Sequence, residues 1–395
     1  MKHGVHLLAL PALAFAAVAL AQTGMPAALP TGWQVTGIPA LNFDADEGFG
    51  YGLIGQAYDY GGGAAPYRYT IQPTIFLTTK GRRDATVFFD APHLLPDGWR
   101  LSVYTGRLQE LATPYYGLGN DSPYDPNAEK APNPYYYRFG REGFQFAADV
   151  QHVIAPSLRL LAGGGTRTST IAIIPFDSGA TLLASETNGN AIPRGRTTYG
   201  RLGLVWDTRD NEIATRSGAW IEGLAQHAGG VLGGTTRFTR ATVTARWYVS
   251  PTARLTFAER LIGQNVWGSP PFYELSDIQS SFQDADGLGG SSSVRGLPKD
   301  RYIGRGLMLL NNEARLRAAD FPLLGRPSSL VLSGFVDAGR VWEDQLDLAQ
   351  ITEGIHAGVG GGAHLTFGPS FVVTLDVGHS SQSTAPIYIG LGYAY

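Results

Sequence analysis

Apolar and polar side chains alternate with a period of two over most of the chain, the pattern of strands whose two faces meet different surroundings. Over residues 69 to 78, Tyr69, Ile71, Pro73, Ile75 and Leu77 share one face, and Thr70, Gln72, Thr74 and Thr78 the other. Ala241, Val243, Ala245 and Trp247 oppose Arg240, Thr242, Thr244 and Arg246 in the same way, and Phe371, Val373, Leu375 and Val377 oppose Thr374, Asp376 and Gly378. Ile387, Ile389, Leu391, Tyr393 and Tyr395 form a closing apolar face against small residues. The alternation predicts about sixteen strands, at 35 to 43, 49 to 60, 67 to 78, 84 to 92, 98 to 108, 135 to 153, 157 to 172, 199 to 208, 218 to 228, 236 to 249, 252 to 266, 306 to 317, 329 to 342, 354 to 367, 370 to 380 and 386 to 395.

The connections between these strands are uneven. The three longest, 109 to 134, 173 to 198 and 267 to 305, all join an odd strand to an even one, while Ala155-Pro156, Ser250-Pro251 and Gly368-Pro369 make tight even-to-odd turns. That asymmetry suits a barrel with both termini in the periplasm, where short turns gather at one rim and long external loops at the other.

Composition narrows the choice of surroundings. Charged residues are only 16% against the ~25% of soluble domains, and glycine, at 52 of 395, is roughly twice its usual ~7%. A soluble β-sandwich or propeller needs a charged exterior or a blade-like repeat, and the sequence has neither; a barrel in lipid tolerates an apolar one. The net charge of −3 excludes a strongly basic, nucleic-acid-binding chain, and the absence of cysteine excludes a disulfide framework or a lipidated N-terminal cysteine. At the start, Lys2, the apolar run Val5 to Leu20 and the small residues Ala19-Leu20-Ala21 read as a secretory signal cleaved after Ala21. Residues 22 to 34 then form a short linker, and 35 to 395 an outer-membrane β-barrel. The fold class is therefore all-β, a transmembrane antiparallel β-barrel.

Candidate chemistry concentrates in the longest connection. Ser293-Val294-Arg295-Gly296-Leu297 follows the glycine-rich stretch Gly287 to Gly290, and such a loop can fold back and carry its arginine into a polar lumen if carboxylates wait there. Glu313 shares a strand face with Asn311, Arg315 and Arg317, and Asp337 alternates with the apolar Val336 and Ala338, so both are lumenal candidates. Enzyme signatures are missing: there is no G-x-S-x-G, Gly378-His379-Ser380-Ser381 reads as a strand end, and no histidine pair has the spacing of a helical metal site. Gly358 to Gly362 lies in a strand and lacks a phosphate-loop lysine, and Asp284 and Asp286 read as solvated loop charge. No catalytic residue, cofactor or metal is assigned, and a barrel hydrolase is disfavoured.

Val294-Arg295-Gly296-Leu297 resembles the VRG-aromatic motif on the sixth external loop of the BamA/TamA-like superfamily, sixteen-stranded barrels that assemble or export other proteins; Leu297 stands where the aromatic residue is usual. Asp207-Thr208-Arg209-Asp210-Asn211 with Gly218 is similar to that family's Asp-x-Arg-Asp periplasmic hairpin, without the customary proline before the glycine. Phe335 to Trp342 resembles its Phe-x-Asp-x-Gly-x-x-Trp strand, and Tyr115-Tyr116-Gly117-Leu118-Gly119-Asn120-Asp121 the Tyr-Gly-x-Gly-Asn segment of its short members. The resemblance implies that the sixth external loop folds into the lumen with Arg295 locked between Glu313 and Asp337. It also implies a seam between the first and last strands, where Pro39, Gly390, Gly392 and Tyr395 stand. Members that assemble barrels or export substrates carry periplasmic receptor domains, for which residues 22 to 34 leave no room. The implied function is assembly or translocation of polypeptide or lipid with a separate periplasmic partner, in contact with outer-membrane lipid, after insertion by the outer-membrane assembly machinery. The alternative is a passive pore or structural barrel without insertase activity.

Overall fold

In the computed structural model the alternating segments form one antiparallel sheet of sixteen strands in which each strand pairs with its neighbours in the chain. The structure describes residues 31–395 except 45–47, 65, 94, 131, 178, 213, 282–283, 324–325 and 368–370. The expected signal sequence, most of the linker and the Gly368-Pro369 turn lie outside the described residues. The first strands are β1 (Trp33–Asp44), β2 (Gly48–Asp59), β3 (Tyr69–Thr78), β4 (Arg82–Ala91), β5 (Trp99–Pro114), β6 (Arg138–Ala155), β7 (Leu158–Ala172) and β8 (Gly195–Asp207). They continue with β9 (Gly218–Ala228), β10 (Arg237–Val249), β11 (Leu255–Ser269), β14 (Gly306–Leu323), β15 (Arg326–Trp342), β16 (His356–Phe367), β17 (Phe371–Ser380) and β18 (Ile387–Leu391). β12 (Asp277–Ile278) and β13 (Ala285–Asp286) pair separately, inside the connection from β11 to β14. The count of sixteen and the transmembrane-barrel class agree with the alternation.

Burial follows the period of two. On β10, Val243 is 57% exposed, whereas Arg240, Thr242 and Thr244 on the opposite face are buried. The same outward exposure holds for Leu53, Ile75, Leu202 and Leu375. An apolar exterior around a polar interior is the inverse of a soluble sheet, and every interior strand still satisfies its backbone through two neighbours. Among the described residues no helix is long and apolar enough to cross a membrane.

Consecutive antiparallel pairing puts all odd-to-even connections at one rim. The long loops are there, with the short helix α1 (Leu182–Glu186) capped by Thr181, whose Oγ1 accepts from Ala184 N at 3.0 Å. The β11–β14 connection does not stay at the rim. It enters the lumen, where Ile278, Leu288, Val294 and Leu297 pack against wall residues Ile262, Leu307, Leu309 and Val341.

The closing strand departs from the expectation. β18 ends at Leu391 and not at Tyr395, because Gly392 adopts φ 78°, a left-handed conformation that breaks the pleat. Tyr393 and Tyr395 had the parity of the lipid face; beyond the break the chain turns inward, and Tyr395 is 5% exposed against Tyr248 and Ala258. β1 and β18 lie side by side, with Cα atoms within 8 Å, yet share no paired residues among those described. Pro39 remains in register with Leu53 of β2, so its missing N–H does not interrupt that ladder.

Candidate functional site

The tip of the lumenal loop is shaped by glycines at positive φ, Gly289 at 120°, Gly290 at 91° and Gly296 at 105°. The Ser293 hydroxyl donates to Gly287 O at 2.6 Å and accepts from Gly289 N at 2.8 Å, so the turn is internally tied. This presents Arg295, 1% exposed, to the wall. Its Nε and Nη2 donate to the two oxygens of Asp337 at 2.8 and 3.1 Å, and its Nη1 donates to Glu313 at 2.7 Å and Asp376 at 3.2 Å. The Arg295 backbone N–H adds a bond to Asp337 at 3.1 Å, and the guanidinium stacks 3.5 Å from the Phe335 ring centroid. The structure thus brings Arg295, Glu313 and Asp337 together in one buried cluster.

Three carboxylates around one guanidinium need further partners. Arg315 Nε donates to Glu313 at 2.7 Å, His364 Nε2 meets Asp376 at 2.8 Å, and Asn311 Nδ2 donates to Asp337 at 2.7 Å. Burial of an ion pair is tolerable only when lone pairs and protons are satisfied in this way. Asp376 and the Phe335 stack are absent from the site read off the sequence; the signal for Asp376 was its lumenal parity on β17. Its distance from Arg295 along the chain, 81 residues, hid the contact.

Glycines explain how the loop reaches across β16. A Cβ at Gly358 would lie 1.9 Å from Arg295 O, one at Gly360 2.4 Å from Phe335 Cζ, and one at Gly362 1.9 Å from Asp376 Oδ1. The stripe keeps β16 bare, so one arginine spans carboxylates on β14, β15 and β17. Gly296 is held by its N–H to Tyr388 Oη at 3.0 Å and by Ser380 Oγ, which donates to its carbonyl at 2.7 Å. Val294 is fully buried.

Just beyond this cluster, Lys299 pairs with Glu110 at 3.3 Å and Asp286 at 3.5 Å, and Asp300 Oδ1 accepts from Gly287 N at 2.8 Å. Burial, reinforced by Asp286 nearby, pushes the Asp300 carboxyl well above the usual carboxylate range. Ser333, His364 and Asp376 also converge, but both neighbours meet the same ring nitrogen, His364 Nε2, at 3.2 and 2.8 Å. An acyl-transfer relay uses both nitrogens, so this cluster lacks that geometry.

In the β8–β9 hairpin, Arg209 grips Asp207 with Nε and Nη2, both at 2.9 Å, and Asp210 Oδ1 accepts from the N–H groups of Arg216 and Ser217. Gly218 has φ 97°, and a Cβ there would lie 2.2 Å from Thr208 O. Asn120 ties a long loop to the wall through Val341 N at 3.0 Å and Gly354 O at 2.7 Å. At the seam, Gly390 pairs with Thr374, and Tyr395 O accepts from Arg315 Nη2 at 3.0 Å.

Known proteins share this architecture. BamA from Haemophilus ducreyi lacking POTRA domains 1-3 superposes with a TM-score of 0.57 at 10% identity, over 92% of this chain and 70% of that one. CdiB from Escherichia coli gives 0.56 at 13% identity over 92% and 63%, and CdiB from Acinetobacter baumannii 0.53 at 13% over 92% and 60%. The chain therefore spans less than two thirds of either CdiB. No curated protein matches by sequence. The Omp85 superfamily domain profile matches residues 69–378, most of the barrel from β3 to β17, and by that match the chain belongs to the Omp85 superfamily.

Proposed function

We propose that this chain is an outer-membrane barrel that passes or inserts polypeptide or lipid through its seam, with a separate periplasmic partner delivering the client. In this reading the short-turn rim, with the Asp207–Arg209 hairpin, faces the periplasm. Arg295, Glu313 and Asp337 hold the sixth external loop as a plug, and the gap at β1 and β18 is the working surface. The observation that carries the reading is the seam: β1 and β18 are neighbours without a shared ladder among the described residues. Edge strands with free N–H and C=O groups are templates for a further strand. A lumen filled by the β11–β14 connection supports lateral rather than axial passage.

Deletion of the gene, with quantitation of the outer-membrane proteome and lipid asymmetry, tests the proposal. Loss of specific barrels or of asymmetry is expected, and an unchanged membrane rejects it. Steady, large, selective conductance of the purified protein in planar bilayers would instead point to a passive pore.

A further inference from the structure

Two arginines face each other across the lumenal wall with no carboxylate between them. Arg246 on β10 and Arg260 on β11 are direct register partners. Like charges placed opposite on one face repel unless something neutralises them. Arg260 donates only to neutral oxygens, Asn311 Oδ1 at 2.9 Å, Ser292 O at 2.6 Å and Ala394 O at 3.3 Å. Arg246, half-buried, has no hydrogen bond or ion pair among the described residues, and its Nε is buried without an acceptor. Its guanidinium lies 4.7 Å from the ring centroid of Trp220, whose own Nε1 is also buried and unpartnered.

Carboxylates on the nearby lumenal wall form no ion pair with Arg246 or Arg260 among the described residues, although the charge of Glu222 reaches Arg246. Glu222 accepts from Ser281 N with both oxygens at 3.2 Å, Glu313 is shared by Arg295 and Arg315, and Asp207 is gripped by Arg209. Buried donors without acceptors are costly, and two of them, Arg246 Nε and Trp220 Nε1, lie together here with the charge of Arg260 in register opposite, the composition of an anion site. A carboxylate is satisfied by one guanidinium fork; the Arg246 fork, with the positive charge and remaining N–H groups of Arg260 opposite, suits a tetrahedral, multiply charged oxyanion.

We propose that Arg246 and Arg260, flanked by Trp220, form an anion site on the lumenal wall near the short-turn rim, and that its ligand is a phosphate group, either free or on a lipid headgroup. The site does not depend on the insertase reading, because it concerns occupancy and not transport.

The test is thermal unfolding of the full barrel in neutral detergent, titrated with inorganic phosphate or with short-chain phosphatidylglycerol, against chloride at matched ionic strength. A ligand that binds only the folded barrel raises the melting temperature logarithmically above its dissociation constant. A saturable rise with phosphate or with the phospholipid, lost in Arg246→Gln, supports the site, and which ligand acts identifies the source. Relief of the Arg246–Arg260 repulsion also makes unliganded Arg246→Gln melt higher than the parent. A rise that chloride reproduces, a rise that persists in Arg246→Gln, or no rise with either ligand overturns the proposal. Should Arg246→Gln fail to fold, Arg246→Lys, which keeps charge without the fork, must weaken the phosphate effect; an undiminished effect there counts against the site.

Discussion

Replacing Arg295 by Ala removes the one guanidinium among the described residues that touches Glu313, Asp337 and Asp376 together. The cost is uneven: Glu313 keeps Arg315 at 2.7 Å and Asp376 keeps His364 at 2.8 Å, but Asp337, 0% exposed, keeps only Asn311 as a side-chain partner. Stranding one buried charge costs about 3–5 kcal/mol. The barrel ladder does not depend on the loop, so the variant is expected to fold, with a lower urea midpoint in detergent. Trypsin should then cut the β11–β14 connection at Lys299, Arg301 or Arg305, of which the first two are buried and the third half-buried in the parent. Adding Asp337→Asn to Arg295→Ala removes the stranded charge and should restore part of the loss, a coupling of roughly 0.5–3 kcal/mol for groups in direct contact. An unchanged midpoint together with unchanged protection in Arg295→Ala would refute the lock.

Further outcomes follow from the same geometry. Gly358→Ala keeps every charge but puts a methyl 1.9 Å from Arg295 O, so it should expose the loop to trypsin much as Arg295→Ala does; intact protection would show that the glycine stripe is not what admits the loop. Val243→Arg, on the outward face, should cost ~2–4 kcal/mol if it lies near the bilayer midplane, and no change in the unfolding midpoint in lipid would contradict the face assignment. Asp300 titrates higher when folded than when unfolded, so the neutral carboxyl favours the folded loop: its contribution is full below about pH 4, the ordinary aspartate value, and falls as pH rises through the raised one. Asp300→Asn keeps the acceptor for Gly287 N and should flatten the loss of loop protection at rising pH; a slope equal to the parent's would discard that explanation.

Strands were legible because lipid outside and polar groups inside impose opposite chemistry on alternate residues, and Val243 beside Arg240 and Thr242 shows the contrast directly. Arg295, Glu313 and Asp337 could be nominated from a glycine-rich approach and from strand parity. Asp376 had the same parity, but its contact with Arg295 depends on the bare surface of β16, a strand that lies between β15 and β17 in the sheet, and parity alone does not show that. Tyr395 was misplaced for a local reason. Parity counting assumes an unbroken pleat, and one left-handed residue, Gly392, turns the following residues from the lipid side to the lumen, where Arg315 and Arg260 meet the chain end. The Arg246–Arg260 opposition likewise needs the register of two strands and is invisible along either one.

The seam is the central claim, and the chain's lack of cysteine makes it directly testable. Cysteine pairs, one in β1 and one in β18, can be oxidised in cells lacking the native gene, and the pair that cross-links fully then compared with its reduced form. Loss of function on cross-linking, restored by reduction, is the predicted result; a fully cross-linked barrel that supports a normal outer membrane would contradict the account.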